Sequence, residues 1–126
     1  MIGSTRSVRV WVHATPTDMR KSFDTLGAIV RGAMARDLLS GDVFLFVGKT
    51  KKRAKALYWD GTGLCVFAKR LEKGRFFAPW DRPRKEPIVW TTSELALFLE
   101  GSEVVGRVAL SPPVWVRGEL PARRVG

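Results

Sequence analysis

Lysine and arginine are the residues through which this sequence offers chemistry. Twelve of them stand between residues 49 and 85: Lys49, Lys51, Lys52, Arg53, Lys55, Lys69, Arg70, Lys73, Arg75, Arg82, Arg84 and Lys85. Only three acids, Asp60, Glu72 and Asp81, share that stretch, so it carries +9 of a net +10. Residues 1–48 carry +2 and residues 86–126 carry −1. A concentration of one sign is the electrostatic footprint of an anionic partner, because summed fields steer and hold counter-charge. Nucleic acid fits better than a membrane surface, since no basic amphipathic helix is present. Tyr58, Trp59, Phe67, Phe76, Phe77 and Trp80 interleave with the cations, as a single-strand binder's stacking platforms do. At least four of those six are assigned to the core. Duplex binding through phosphate contacts fits the charge equally well. No helix-turn-helix, zinc finger or basic zipper is legible, so base-specific reading in the major groove has no motif behind it.

Residues for catalysis are sparse. His13 is the single histidine and Cys65 the single cysteine, which leaves poor material for a zinc site or a Ser-His-Asp arrangement. Cys65 sits in an alternating strand pattern, where packing is its expected role. One cysteine also forms no internal disulfide, in keeping with a reducing compartment. Gly48-Lys49-Thr50 resembles the end of a phosphate loop, but the upstream glycine is missing and a hairpin follows instead of a helix. Asp18, Asp24, Asp37, Asp42 and Asp60 are conceivable metal ligands for a nuclease. A two-metal site needs carboxylates converging on ions about 4 Å apart, and no motif links these five. The chain reads as a non-enzyme with no metal and no cofactor.

Apolar patterning predicts the elements that must position the cations. Ala54–Trp59 and Leu64–Ala68 are apolar, aromatic-rich runs around Asp60-Gly61-Thr62-Gly63, and they predict a hairpin. Glu72-Lys73-Gly74 then predicts a second turn, with Phe76–Trp80 as the third strand of a meander. Upstream, Ser7–His13 alternates valine with larger residues and predicts a strand. Met19, Phe23, Leu26, Val30 and Met34 recur at helical spacing and predict a helix over Asp18–Met34, capped by Thr17 or Asp18. Val43–Val47 is a continuous apolar run and predicts a central strand. Ile88–Trp90 suggests an edge strand. Thr91 and Glu94 have capping-box spacing ahead of a short helix that Gly101 closes. Residues 104–126 read as an irregular tail, with Val114–Val116 a candidate edge strand. Length allows one domain, here over 1–103. No apolar run approaches the roughly eighteen residues of a membrane span, and the N-terminus lacks a secretory signal core.

Several segments also resemble a known family. They are PTDMRKSFDTL (Pro16–Leu26), SGDVFLF (Ser40–Phe46), KALYWDGTGLCVFAKRLEKGRF (Lys55–Phe76) and TTSELALFLEG (Thr91–Gly101). In this order they are similar to the Orf2 or TnpB accessory protein of the sixty-six family of bacterial insertion sequences, which is not the RNA-guided nuclease of the same name. The resemblance covers roughly residues 7–101. It implies a small bacterial protein, cytoplasmic, that assists a separately encoded transposase holding the catalytic acids. No catalytic residue carries over. Arg20, Lys21, Lys69 and Arg70 are exposed-type residues inside the matching motifs.

Together these readings give an α+β domain: an antiparallel sheet of about five strands, one long helix on one face and a short C-terminal helix. The function expected is DNA binding, at the ends of the element, in support of transposition. Arg20, Lys21, Lys49, Lys51, Lys52, Arg53, Lys55, Lys69, Arg70, Lys73 and Arg75 are the candidate DNA contacts. The alternative is an adaptor that docks on the transposase itself.

Overall fold

A computed structural model describes residues 7–81 and 86–101. In chain order they form β1 (Val10–Val12), α1 (Phe23–Arg31), β2 (Val43–Val47), β3 (Arg53–Trp59), β4 (Leu64–Arg70), a 3₁₀ turn (Pro79–Asp81), β5 (Ile88–Trp90) and α2 (Thr92–Leu99). The fold is α+β, with one five-stranded sheet in the order β4-β3-β2-β1-β5. The sequence pattern called for an antiparallel meander, but the sheet is mixed, because β1 and β2 pair in parallel across α1. The other three pairings are antiparallel.

β2 lies in the middle, which explains its uninterrupted apolar run: alternate residues are buried on opposite faces. Leu45 and Val47 join Val10, Val12, Ala54, Ala56, Phe76, Phe77, Ile88, Trp90 and Phe98 on the face covered by α2. Phe44 and Phe46 join Trp11, Leu26, Val30, Leu38 and Leu57 on the face covered by α1. Phe76 stacks on Phe98 with ring centroids 4.8 Å apart, and Trp90 tilts against Phe98 at 5.5 Å. α2 starts with a reciprocal cap: Thr91 Oγ1 accepts from the Glu94 amide, and Glu94 Oε1 accepts from the Thr91 amide. Gly101 closes it at φ +87°, a conformation that glycine adopts without steric cost.

Two further expectations change. Phe76–Trp80 is not a strand. Phe76, Phe77, Ala78 and Pro79 are buried in succession, a pattern that a pleated strand with alternating faces does not give. The long helix is also shorter than Asp18–Met34. Asp18 turns back on its own neighbours, accepting from the Arg20 amide and guanidinium, while the Lys21 amide donates to the Asp18 carbonyl. That local turn holds residues 18–21 out of the helix. The first turn of α1 is fixed further on, where Thr25 Oγ1 accepts from the Ser22 amide, so neither Thr17 nor Asp18 is the cap. Met19 packs against the α1-side core from outside the helix. Residues 82–85 and the tail from 102, including Arg82, Arg84, Lys85 and Val114–Val116, lie outside the described residues.

Candidate nucleic-acid interface

The β2–β3 connection, Lys49–Lys52, is closed by the Gly48 amide donating to the Arg53 carbonyl at 2.9 Å. Lys51 sits there at φ +65°, a left-handed conformation that non-glycine residues adopt sparingly. The chain leaving β4 returns to the same tip. The Leu71 amide donates to the Lys52 carbonyl at 2.8 Å, and the Phe76 amide donates to the Lys51 carbonyl at 2.7 Å. These bonds gather Lys49, Lys51, Lys52, Arg53, Arg70, Lys73 and Arg75 at one end of the β2–β3–β4 array. The other end holds the Asp60–Gly63 turn. There Asp60 Oδ1 accepts from the Thr62 and Gly63 amides, which hold the carboxyl at about 2.

Register then sorts the strand cations by face. Arg53 pairs with Arg70, Ala54 with Lys69, and Lys55 with Ala68. Side chains alternate along each strand, so Arg53, Lys55, Ala68 and Arg70 share the α1 face. Lys69 points to the opposite face, where its Nζ donates to the Leu99 carbonyl at 2.7 Å. Lys55 Nζ donates to the Lys21 carbonyl at 2.7 Å and ties β3 to the segment before α1. Between them lies an open cleft of about 290 Å³ lined by Met19, Arg53, Ala54, Lys55, Ala68, Lys69 and Arg70.

The eleven candidate contacts therefore divide. Arg20 is held by Asp18 at 2.9 Å, Lys51 by Asp81 at 3.2 Å and Arg70 by Glu72 at 3.2 Å. The Arg20 guanidinium in turn holds the Asp18 carboxyl at about 2. Lys21, Lys49, Lys52, Arg53, Lys73 and Arg75 have no acidic partner among the described residues. Met19 and Ala68 line the cleft although the sequence pattern suggested no such role. The one available signal at residue 68 is its size, a small residue opposite Lys55. The aromatic platform is not assembled: Phe76 and Phe77 are core residues, Trp80 packs against them, and Phe67, 45% exposed, lies on the face away from the cleft.

The other chemistry-bearing residues have structural surroundings. Asp42, 3% exposed, accepts from the Trp11 indole at 2.9 Å and the Arg9 amide at 3.1 Å. Desolvation pushes the Cys65 thiol up, and Asp60, 3.5 Å from its sulfur, adds to that, so a thiolate is disfavoured. Burial lowers the His13 pKa, and its ring tilts against Phe46 at 5.7 Å. Among the described residues no group of three His, Cys, Asp or Glu side chains is placed to hold a metal, and no helix is long and apolar enough to cross a membrane.

Comparison with known proteins agrees with the motif resemblance. Two proteins of Sinorhizobium fredii (strain NBRC 101917 / NGR234), both described as uncharacterized, are similar to this chain. The one called y4jC is 39% identical over 79 residues, spanning 63% of this chain and 68% of its own length. The one called y4hO is 35% identical over 101 residues, spanning 80% of this chain and 86% of its own. No solved structure matches. The family model described as IS66 Orf2 like protein matches residues 8–107, which include every helix and strand of the described residues and the basic cleft, and the chain belongs to that family.

Proposed function

We propose that the protein is a non-catalytic DNA-binding accessory factor of insertion-sequence transposition, working in the bacterial cytoplasm beside a separately encoded transposase. Family membership supports the accessory role in transposition. DNA binding rests on one observation: hairpin register and the return of the chain after β4 collect Lys49, Lys51, Lys52, Arg53, Arg70, Lys73 and Arg75 at one end of the sheet. Arginine and lysine contacts to phosphate release condensed counterions and dominate affinity for DNA. The contacts proposed are Lys49, Lys52, Arg53, Lys55, Arg70, Lys73 and Arg75, with Lys21 at the rim. The ends of the element are the proposed target.

The adaptor reading has a specific observation of its own. Among the described residues β4 is an edge strand, paired on one side with β3, and its exposed Phe67 stands beside a row of backbone groups with no strand partner among those residues, a surface suited to accepting a strand from a partner. Charge reversal separates the two. Lys49→Glu, Lys52→Glu and Arg75→Glu together abolish binding to a duplex carrying the terminal repeat, while capture of the transposase by the protein is unchanged. Lost capture with DNA binding intact supports the adaptor instead.

A further inference from the structure

Like charges placed directly opposite on neighbouring strands repel. Arg53 and Arg70 are such a pair, next to the β2–β3 tip and two register steps from the Lys55–Ala68 pair. A third cation, Lys55, projects from the same face two residues on. The Arg53–Arg70 pairing is a cost to the sheet, although Lys55 also ties β3 to the segment before α1. Lys55 spends one of its three N–H groups on the Lys21 carbonyl, and Arg70 spends Nε on Glu72. The remaining ammonium donors, the terminal guanidinium nitrogens of Arg70 and the whole guanidinium of Arg53 are left for something else.

What they face is concave. The open cleft of about 290 Å³ is lined by Met19, Ala54 and Ala68, a small apolar patch among Arg53, Lys55, Lys69 and Arg70. That volume is at the lower limit of ligand pockets, roughly 300 Å³. It suits a phosphate with its attached sugar and leaves the base outside. A single carboxylate is matched by one guanidinium fork, whereas two guanidiniums and an ammonium around one small space suit a tetrahedral anion with several acceptor oxygens.

We propose that this cleft seats one phosphate group of a bound nucleic-acid backbone, gripped by Arg53, Arg70 and Lys55 with the sugar against Ala68 and Met19. The seat deepens the DNA reading, and the source of its phosphate rests on that reading. It also assigns the cations unequal work. Those at the tip act through the field, while the three in the cleft fix the register of one phosphate.

The test is an amide chemical-shift titration of the full chain with a thymidine dinucleotide carrying one internal phosphate, and separately with inorganic phosphate. The dinucleotide is expected to give saturable shifts concentrated at residues 53–55 and 68–70. Ala68→Phe keeps every cation and suits a strand, and it is expected to weaken the dinucleotide at least about tenfold. Arg53→Gln is expected to do the same, and each variant's spectrum checks that the fold is intact. A dinucleotide that binds more tightly than inorganic phosphate supports a nucleic-acid source. Equal binding keeps the seat and overturns that source. An absence of shifts in the cleft, shifts induced by an acidic peptide but not by the dinucleotide, or full binding by Ala68→Phe overturns the seat. Saturation of the cleft without any duplex binding retains the seat and removes the DNA reading, so the two fail separately.

Discussion

Single residues in this protein divide by what their charges touch. Asp42 satisfies a buried indole N–H and a backbone amide at once, so truncation strands both donors. Asp42→Ala is expected to cost about 3 kcal/mol, read from the shift of a urea unfolding curve. Asp60 is fully exposed, and its carboxylate is stabilised by two backbone amides that lower its pKa from 3.8 to about 2. A carboxyl with a depressed folded-state pKa contributes stability that is complete above the unfolded value and is lost as pH falls through the folded one. Stability should therefore decline between pH 3.8 and about 2, and Asp60→Asn should flatten that decline in unfolding midpoints measured across the window. Neither role was legible in the sequence beyond a guess at turn formation for Asp60. Asp42 looked like a conceivable metal ligand, because its partner Trp11 is 31 residues away in the chain and no local pattern joins them.

At the scale of elements, local signals were read correctly where local chemistry decides. The Thr91–Glu94 cap, the hairpin around Asp60–Gly63 and the continuous apolar run of β2 all formed as their residue types require. Three expectations fail. Phe76–Trp80 has strand composition, yet its aromatics are taken by the pocket that Trp90 and Phe98 make. The parallel β1–β2 pair was written in the order strand, helix, strand, with β2 apolar on both faces; that is the usual sign of a crossover. Of the stripe through Met19, Leu26 and Val30 are buried, Met19 and Met34 only partly, and Phe23 is 46% exposed; Met19 also falls outside the helix, because Asp18 folds onto Arg20. Met19 instead plugs a gap above the β2–β3 tip, where a Cβ added at Gly48 would meet Met19 Cγ at 2.7 Å. Gly48→Ala is expected to destabilise by about 1–2 kcal/mol through overpacking. A Gly48→Ala, Met19→Ala double variant should show a coupling energy in the same unfolding experiment, since the clash disappears with the methionine.

The whole molecule is polarised. Its sheet is covered on one face by α2 and the Phe76–Phe77 segment and on the other by α1, while one end of three strands gathers Lys49, Lys51, Lys52, Arg53, Arg70, Lys73 and Arg75. The charge run, legible from the order of residues alone, placed the candidate site. The sharing of one face by Arg53, Lys55 and Arg70, and the loss of Lys69 to the other, needed register, which one residue of slip would invert. The central claim is phosphate contact by this end of the sheet. The measurement that reaches it most directly is the affinity for a terminal-repeat duplex across a range of salt, for the native chain and for Lys49→Gln, Lys52→Gln and Arg53→Gln together. Direct contact predicts a negative slope of log affinity on log salt that becomes shallower by about 0.9 for each contact removed, close to 3 for the triple variant. A native chain whose affinity for DNA is negligible at low salt, or a triple variant with an unchanged slope, would contradict it.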